Sequence, residues 1–146
     1  MNETELIQTI IDRLRAKIPG LSAAVIRYPD KPAQLTKATI DTYYPHGLLM
    51  VQFVESDGGE GRETITFGVC VLGTDLDRVV KLCRAVKIVL NFYEPEGVRR
   101  FEFALDKPME GEENGVISRL VCFTTIIAAV GMPEEDIDAA ITALGL

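Results

Sequence analysis

The stretch Gly47–Gly73, GLLMVQFVESDGGEGRETITFGVCVLG, decides how the rest of the chain is read. Two runs rich in hydrophobic and β-branched residues flank a polar centre, Glu55–Glu63, with glycines at 58, 59 and 61. Such glycines serve either as a phosphate cradle or as the tip of a hairpin. A cradle needs them between a strand and a helix N-terminus, where free amides and the helix dipole meet the anion. Here the second run alternates: Ile65, Phe67, Val69 and Val71 point one way, Thr64, Thr66, Gly68 and Cys70 the other,. That is a strand. The GGEG spacing also matches neither GxGxxG nor GxxxxGK[ST], and Glu55, Asp57, Glu60 and Glu63 oppose Arg62 alone. Asp57, Gly58, Gly59, Glu60 and Gly61 are therefore expected at the exposed tip of an antiparallel hairpin.

Working outward, TDLDRVVKLCRAVKIVLNFYEPEG predicts a helix capped by Thr74 or Asp75 and ended by Glu94-Pro95-Glu96-Gly97,. Leu76, Val79, Val80, Cys83, Val86 and Leu90 form its inward stripe, widened by Leu82, Val89 and Phe92. Apolar residues over so much of the circumference mean deep burial or contact with a second molecule. Upstream, NETELIQTIIDRLRAKIPG is an amphipathic helix with Asn2 and Glu5 placed as a capping box and Pro19-Gly20 as the stop,. LSAAVIRY reads as a strand. Pro29–Pro45 reads as a long connection with a short extended piece at Leu35–Tyr43,.

Downstream, RRFEFALD predicts a strand with Phe101, Phe103 and Leu105 on one face. An acidic turn, KPMEGEENG, leads into VISRLVCFTTIIAAV, longer than a typical strand of about five or six residues,. Such a strand runs past the edge of its sheet, or is bulged or bent. Pro133 and the acidic Glu134, Glu135 and Asp136 open a last helix carrying Ile137, Ile141 and Leu144,. The order α-β-β-β-α-β-β-α predicts an α+β fold, one domain over residues 1–146: an antiparallel or mixed sheet packed by two to three helices.

Composition narrows the function. At 146 residues the chain can form its core without a disulfide or metal staple,. A net charge of −7 disfavours nucleic acid as the main partner, and no window reaches the length of a membrane span,. The acidic, polar start MNETELIQ is unlike a secretory signal,. Cys70, Cys83 and Cys122 lie in apolar runs without metal-ligand spacing, which suits buried reduced thiols,. The single histidine, His46, precedes a glycine at a strand entrance, and no triad, HExxH, CxxC or EF-hand pattern surrounds it,. The pairs Glu112-Glu113 and Glu134-Glu135 read as a solvated turn and a helix start,. No catalytic, cofactor or metal residue is expected.

One charge pattern stands out. Arg78, Lys81, Arg84 and Lys87 recur every third residue on the second long helix of an acidic chain. They are an ordinary solvated face, or a basic strip that meets the acidic elements Asp57–Glu60 or Glu110–Glu113 of a neighbouring subunit. Identical subunits with opposite charges on different faces join head to tail and close into rings.

The segment order resembles the small tail terminator (tail completion) proteins of bacteriophages, in particular the Mu-like prophage tail proteins of that kind. The resemblance runs through ELIQTIIDRLRAKIPGL, RYPDKP, HGLLMVQFVES, ETITFGVCVLGTDLD, RVVKLCRAVKIVLNFYEPEG and ENGVISRLVCFTTII. It implies helices on a sheet, assembled as a hexameric ring that caps the tail tube and presents a head-joining surface, without catalysis or cofactor. Implied partners are further copies of the chain, tail tube and sheath proteins, and a head-completion protein. Assembly would take place in the host bacterial cytoplasm, and the product would reside in the virion tail. The competing expectation is a small-molecule-binding or enzymatic α+β domain, with His46 and the hairpin loop lining a pocket.

Overall fold

The computed structural model describes residues 2–28, 35–59, 62–109, 115–128 and 134–145. Helix α1 (Glu3–Lys17) starts at the expected capping box: Asn2 Oδ1 accepts from Glu5 N at 2.8 Å, and Glu5 Oε2 accepts from Asn2 N at 3.0 Å. It buries Leu6, Ile7, Ile10, Ile11 and Leu14. The segment read as the strand LSAAVIRY is mostly a 3-10 turn, Pro19–Ala24, and only Val25–Arg27 forms a strand, β1.

The connection holds a helix, not an extended piece: α2 spans Lys37–Tyr43. Its β-branched residues argue for extension, but local partners prevail. Thr36 Oγ1 caps the start by accepting from Thr39 N at 3.2 Å, and Lys37 pairs with Asp41 one turn on at 3.2 Å,. The single inward residue, Ile40, is fully buried.

Strands β2 (Leu48–Gly59) and β3 (Arg62–Gly73) form the predicted antiparallel hairpin. Helix α3 (Leu76–Leu90), β4 (Glu102–Pro108), β5 (Ile117–Ala128) and α4 (Glu134–Ala143) complete the chain. The five strands make one mixed sheet in the order β1-β2-β3-β5-β4, with only β1 and β2 parallel. The α+β class and the sheet packed by helices are as read from the sequence.

Two expectations about strand geometry are corrected. β5 does not overrun its sheet, because β3 pairs with it along its whole length, from Arg62↔Ala128 to Gly73↔Ile117. Its length matches that of the hairpin. In β4, a register shift between Phe103 and Leu105 sets Phe103 opposite Phe123 but Leu105 opposite Cys122. Neighbouring residues of a strand face opposite ways, so this bulge turns Leu105 away from the side of Phe103.

Helices α1 and α3 cover one face of the sheet. There Leu49, Val51, Ile65, Phe67, Val69, Val71, Val121 and Phe123 are fully buried. Phe67 anchors this layer, edge-on to Phe101 at 4.8 Å and stacked with Phe123 at 5.5 Å, contacts worth about 0.5–1.5 kcal/mol each beyond their buried area. On the opposite face burial is confined to one half. Leu48, Met50, Cys70, Leu72, Leu120 and Cys122 are buried, whereas Thr64, Thr66 and Thr124 remain half-exposed.

The hairpin thus continues past the helix-covered core as an arm, with every described residue from Phe53 to Gly59 exposed. Gly47 starts it. Its φ is +106°, and a Cβ there would lie 2.4 Å from Leu82 Cδ1, so glycine is required,.

Candidate interaction surface

The glycine-rich stretch is strand rather than cradle. Asp57, Gly58 and Gly59 pair with Thr64, Glu63 and Arg62, and Ser56 Oγ donates to Glu63 across the ladder. Glu60 and Gly61 lie outside the described residues, as do Glu112 and Glu113 of the acidic turn. A shallow hollow at the described part of the tip is lined by Asp57, Gly58, Gly59, Arg62 and Thr64. Among the described residues the arm's outer edge has no strand partner beyond Val51, where the pairing with β1 ends. It is blunted by a register shift between Phe53 and Glu55 and by the charges of Glu55 and Asp57, both devices that discourage edge-to-edge pairing,.

His46 sits elsewhere. It precedes the first residue of β2 while the glycines end it, and 12 residues of strand separate the two by about 35 Å at the usual rise,. The hollow beside His46 is lined by Gly20, Leu21, Ala23, Ala24, Tyr43, Tyr44, Pro45 and Gly47, sharing no residue with the one at the tip. A single pocket formed by His46 and the hairpin loop is therefore excluded. Among the described residues no group of His, Cys, Asp and Glu could hold a metal, and no helix is long and apolar enough to cross a membrane.

All three cysteines are buried and free. Burial, aided by the neighbouring Cys122, pushes the Cys70 thiol up to about 12, and burial pushes Cys83 to about 11. Cys122 is raised for the same reason. Thiols held this far from the thiolate are poor nucleophiles.

Helix α3 is where the surface becomes informative. Asp75, not Thr74, is its N-cap, accepting from Asp77 N at 3.2 Å. Thr74 instead donates to Asp41 Oδ1 at 2.8 Å, tying the helix start to α2; this hydrogen bond and the one from Lys37 hold the Asp41 carboxyl below its usual range. The helix buries Val79, Leu82, Cys83, Val86 and Leu90, the i, i+3, i+4, i+7, i+11 set,. Leu76 and Val80 do not join that stripe. They lie outward and are exposed, as is Ile88, at 72%.

The four basic residues divide between different tasks. Lys87 turns inward, its ammonium 2.6 Å from Asp106 Oδ2, while Arg119 Nε approaches Asp106 Oδ1 at 2.8 Å. Burial opposes ionisation of Asp106, but the hydrogen bonds from Lys87 and Arg119 outweigh it and hold the carboxyl below its usual range. Arg78 Nε donates to the carbonyl of His46 at 3.1 Å, bracing the entrance to β2. Lys81 and Arg84 are exposed.

After α3 the chain makes an unusual turn. Phe92 has φ +64°, in the left-handed region where a bulky side chain is strained,. The turn is over-determined by partners. Phe92 N donates to Phe101 O and Phe101 N to Tyr93 O, both at 2.8 Å, and Asn91 Oδ1 accepts from Phe103 N at 3.0 Å. The Phe92 ring is 63% exposed, with the Arg100 guanidinium 5.2 Å from its centroid. Phe92 therefore does not widen the inward stripe as its spacing suggests, because α3 ends at Leu90 and the helical period does not reach it.

No family model and no curated protein matches the chain. Among solved structures, the fold is similar to that of a chain in the virion of a native gene transfer agent particle. The TM-score is 0.56 at 15% identity, covering 82% of this chain and 91% of that one. At this identity the likeness is one of fold.

Proposed function

We propose that the chain is a structural protein of a phage or phage-like tail: a terminator that caps the tail tube as a ring, hexameric in form, and offers a surface for head joining. The observation that carries this reading is the fold shared with a virion chain over 91% of that chain's length. The surface adds support. An acidic hairpin arm and a basic outward helix face lie on different parts of one subunit, the arrangement that head-to-tail rings need. Asp57, Gly58 and Gly59, with Glu60 and Gly61 beyond them, are the arm's contact residues in this account. Lys81 and Arg84 carry the basic side, and Glu112 and Glu113 form a second acidic element.

The partners are further copies of the chain, the tube and sheath proteins, and a head-completion protein. Assembly takes place in the host cytoplasm and the product resides in the virion. Native mass spectrometry over a concentration series, with negative-stain images of the large species, tests the ring. A six-fold ring with an open centre is expected. Only monomers, even after tube protein is added, would exclude it.

A further inference from the structure

The outward side of α3 presents an apolar ridge that the described residues leave uncovered. Val80, Ile88 and Phe92 are all exposed, with Arg84 between them. Phe92 is the telling member. At its left-handed backbone an asparagine or glycine would be less strained, yet the position holds a large apolar ring that faces solvent,. Exposed aromatic residues beside arginine are the composition of contact hot spots.

The arm carries the matching surface. The register shift after Phe53 leaves Phe53 on the side of Phe67 and sets Glu55 and Asp57 opposite Thr66 and Thr64, on the other face. There Val54, 41% exposed, stands beside these two exposed carboxylates. Apolar residues therefore stand beside cations on the ridge and beside anions on the arm. The two cannot meet within one subunit. α3 presses its buried stripe on β3, β5 and β4, so the ridge points away from the sheet that the arm extends.

We infer that the ridge is the seat for the hairpin arm of a second copy, with Val54 entering beside Ile88 and Phe92 while Glu55 and Asp57 meet Lys81 and Arg84. Because ridge and arm are different surfaces, each subunit gives one and receives one, and the contact propagates in one direction. The inference rests on the ring reading for closure of the set, but it specifies the contact independently.

Two experiments test it. Phe92→Asn suits the left-handed turn, so the subunit should keep or gain thermal stability while self-association weakens by about 30-fold or more, as for a contact hot spot. Separately, Val54→Cys protein and Ile88→Cys protein are mixed before assembly and treated with a short bifunctional thiol reagent. Cross-linked pairs should form in the mixture and in neither protein alone, the native thiols being buried. An intact ring that ignores Phe92→Asn and gives no mixed cross-link would overturn the inference and leave the ring standing. Cross-linking of Ile88→Cys to itself would show a two-fold ridge-to-ridge pair and also overturn it. Wild-type protein that stays monomeric with tube protein present would remove both the contact and the ring.

Discussion

Lys87 and Asp106 stand 2.6 Å apart, joining α3 to β4 beneath the surface, with Arg119 on the other carboxylate oxygen. A residue that spacing alone groups with three outward cations thus belongs to the subunit's own framework. Its neighbours Lys81 and Arg84 do not share that role, and the two kinds of residue separate by mutation.

Removing the carboxylate in Asp106→Ala leaves two cations crowded in a partly buried place. Such losses cost about 2 kcal/mol when burial is incomplete. Arg84→Glu, on the exposed side, should change subunit stability by less than about 0.5 kcal/mol while weakening ring formation. Urea denaturation of both variants, with sedimentation of the second, checks this. A strongly destabilised Arg84→Glu would place that residue in the framework as well.

The same carboxylate sets an acid dependence. Its folded pKa lies below its unfolded one, so its contribution is fully present above the unfolded value of about 3.9 and is lost as pH falls through the folded value,. Stability should therefore decline in that acid window, and Asp106→Asn should flatten that part of the curve. Thermal melts from pH 6 to pH 2 measure it. Identical acid limbs in the two proteins would contradict the assignment.

Gly47 permits both the turn into β2 and the close approach of Leu82. Gly47→Ala adds a Cβ at 2.4 Å from Leu82 Cδ1 and strains a φ of +106°. A loss of about 2–3 kcal/mol follows from the two effects together. Denaturant unfolding reads it directly, and a neutral substitution would mean that the turn is wrongly described.

The thiols offer a test of the core. With Cys70 and Cys83 pushed up to about 12 and about 11 and all three cysteines buried, native protein should resist a thiol-specific reagent at pH 8,. Denatured protein should react at all three. Rapid modification in the native state would mean that the sheet opens or that a cysteine is exposed.

Much of this architecture can be read from residue order because local rules and tertiary packing agree there. The alternation from Thr64 to Val71 makes β3, Asn2 and Glu5 make the cap of α1, and Gly58 and Gly59 lie in a hairpin strand. Reading fails where a non-local or single-residue effect prevails. Thr36 and the Lys37–Asp41 pair turn a β-branched stretch into α2. A bulge in β4 reverses Leu105, which spacing cannot reveal. At Phe92 no glycine marks the left-handed turn, so the period runs on and an exposed ring is mistaken for core. The ridge is hidden for the same reason: Leu76 and Val80 look inward until Val79 and Leu82 are seen to fill that side.

Termination of the tail tube is the role proposed for the ring, and tube length is its most direct readout. A phage tail tube protein would be polymerised with increasing amounts of the purified protein, and tube lengths and ends scored by electron microscopy. Shorter tubes, each capped at one end by a ring, are the predicted result. Tubes of unchanged length with bare ends, at a concentration where the protein is folded, would contradict the terminator reading.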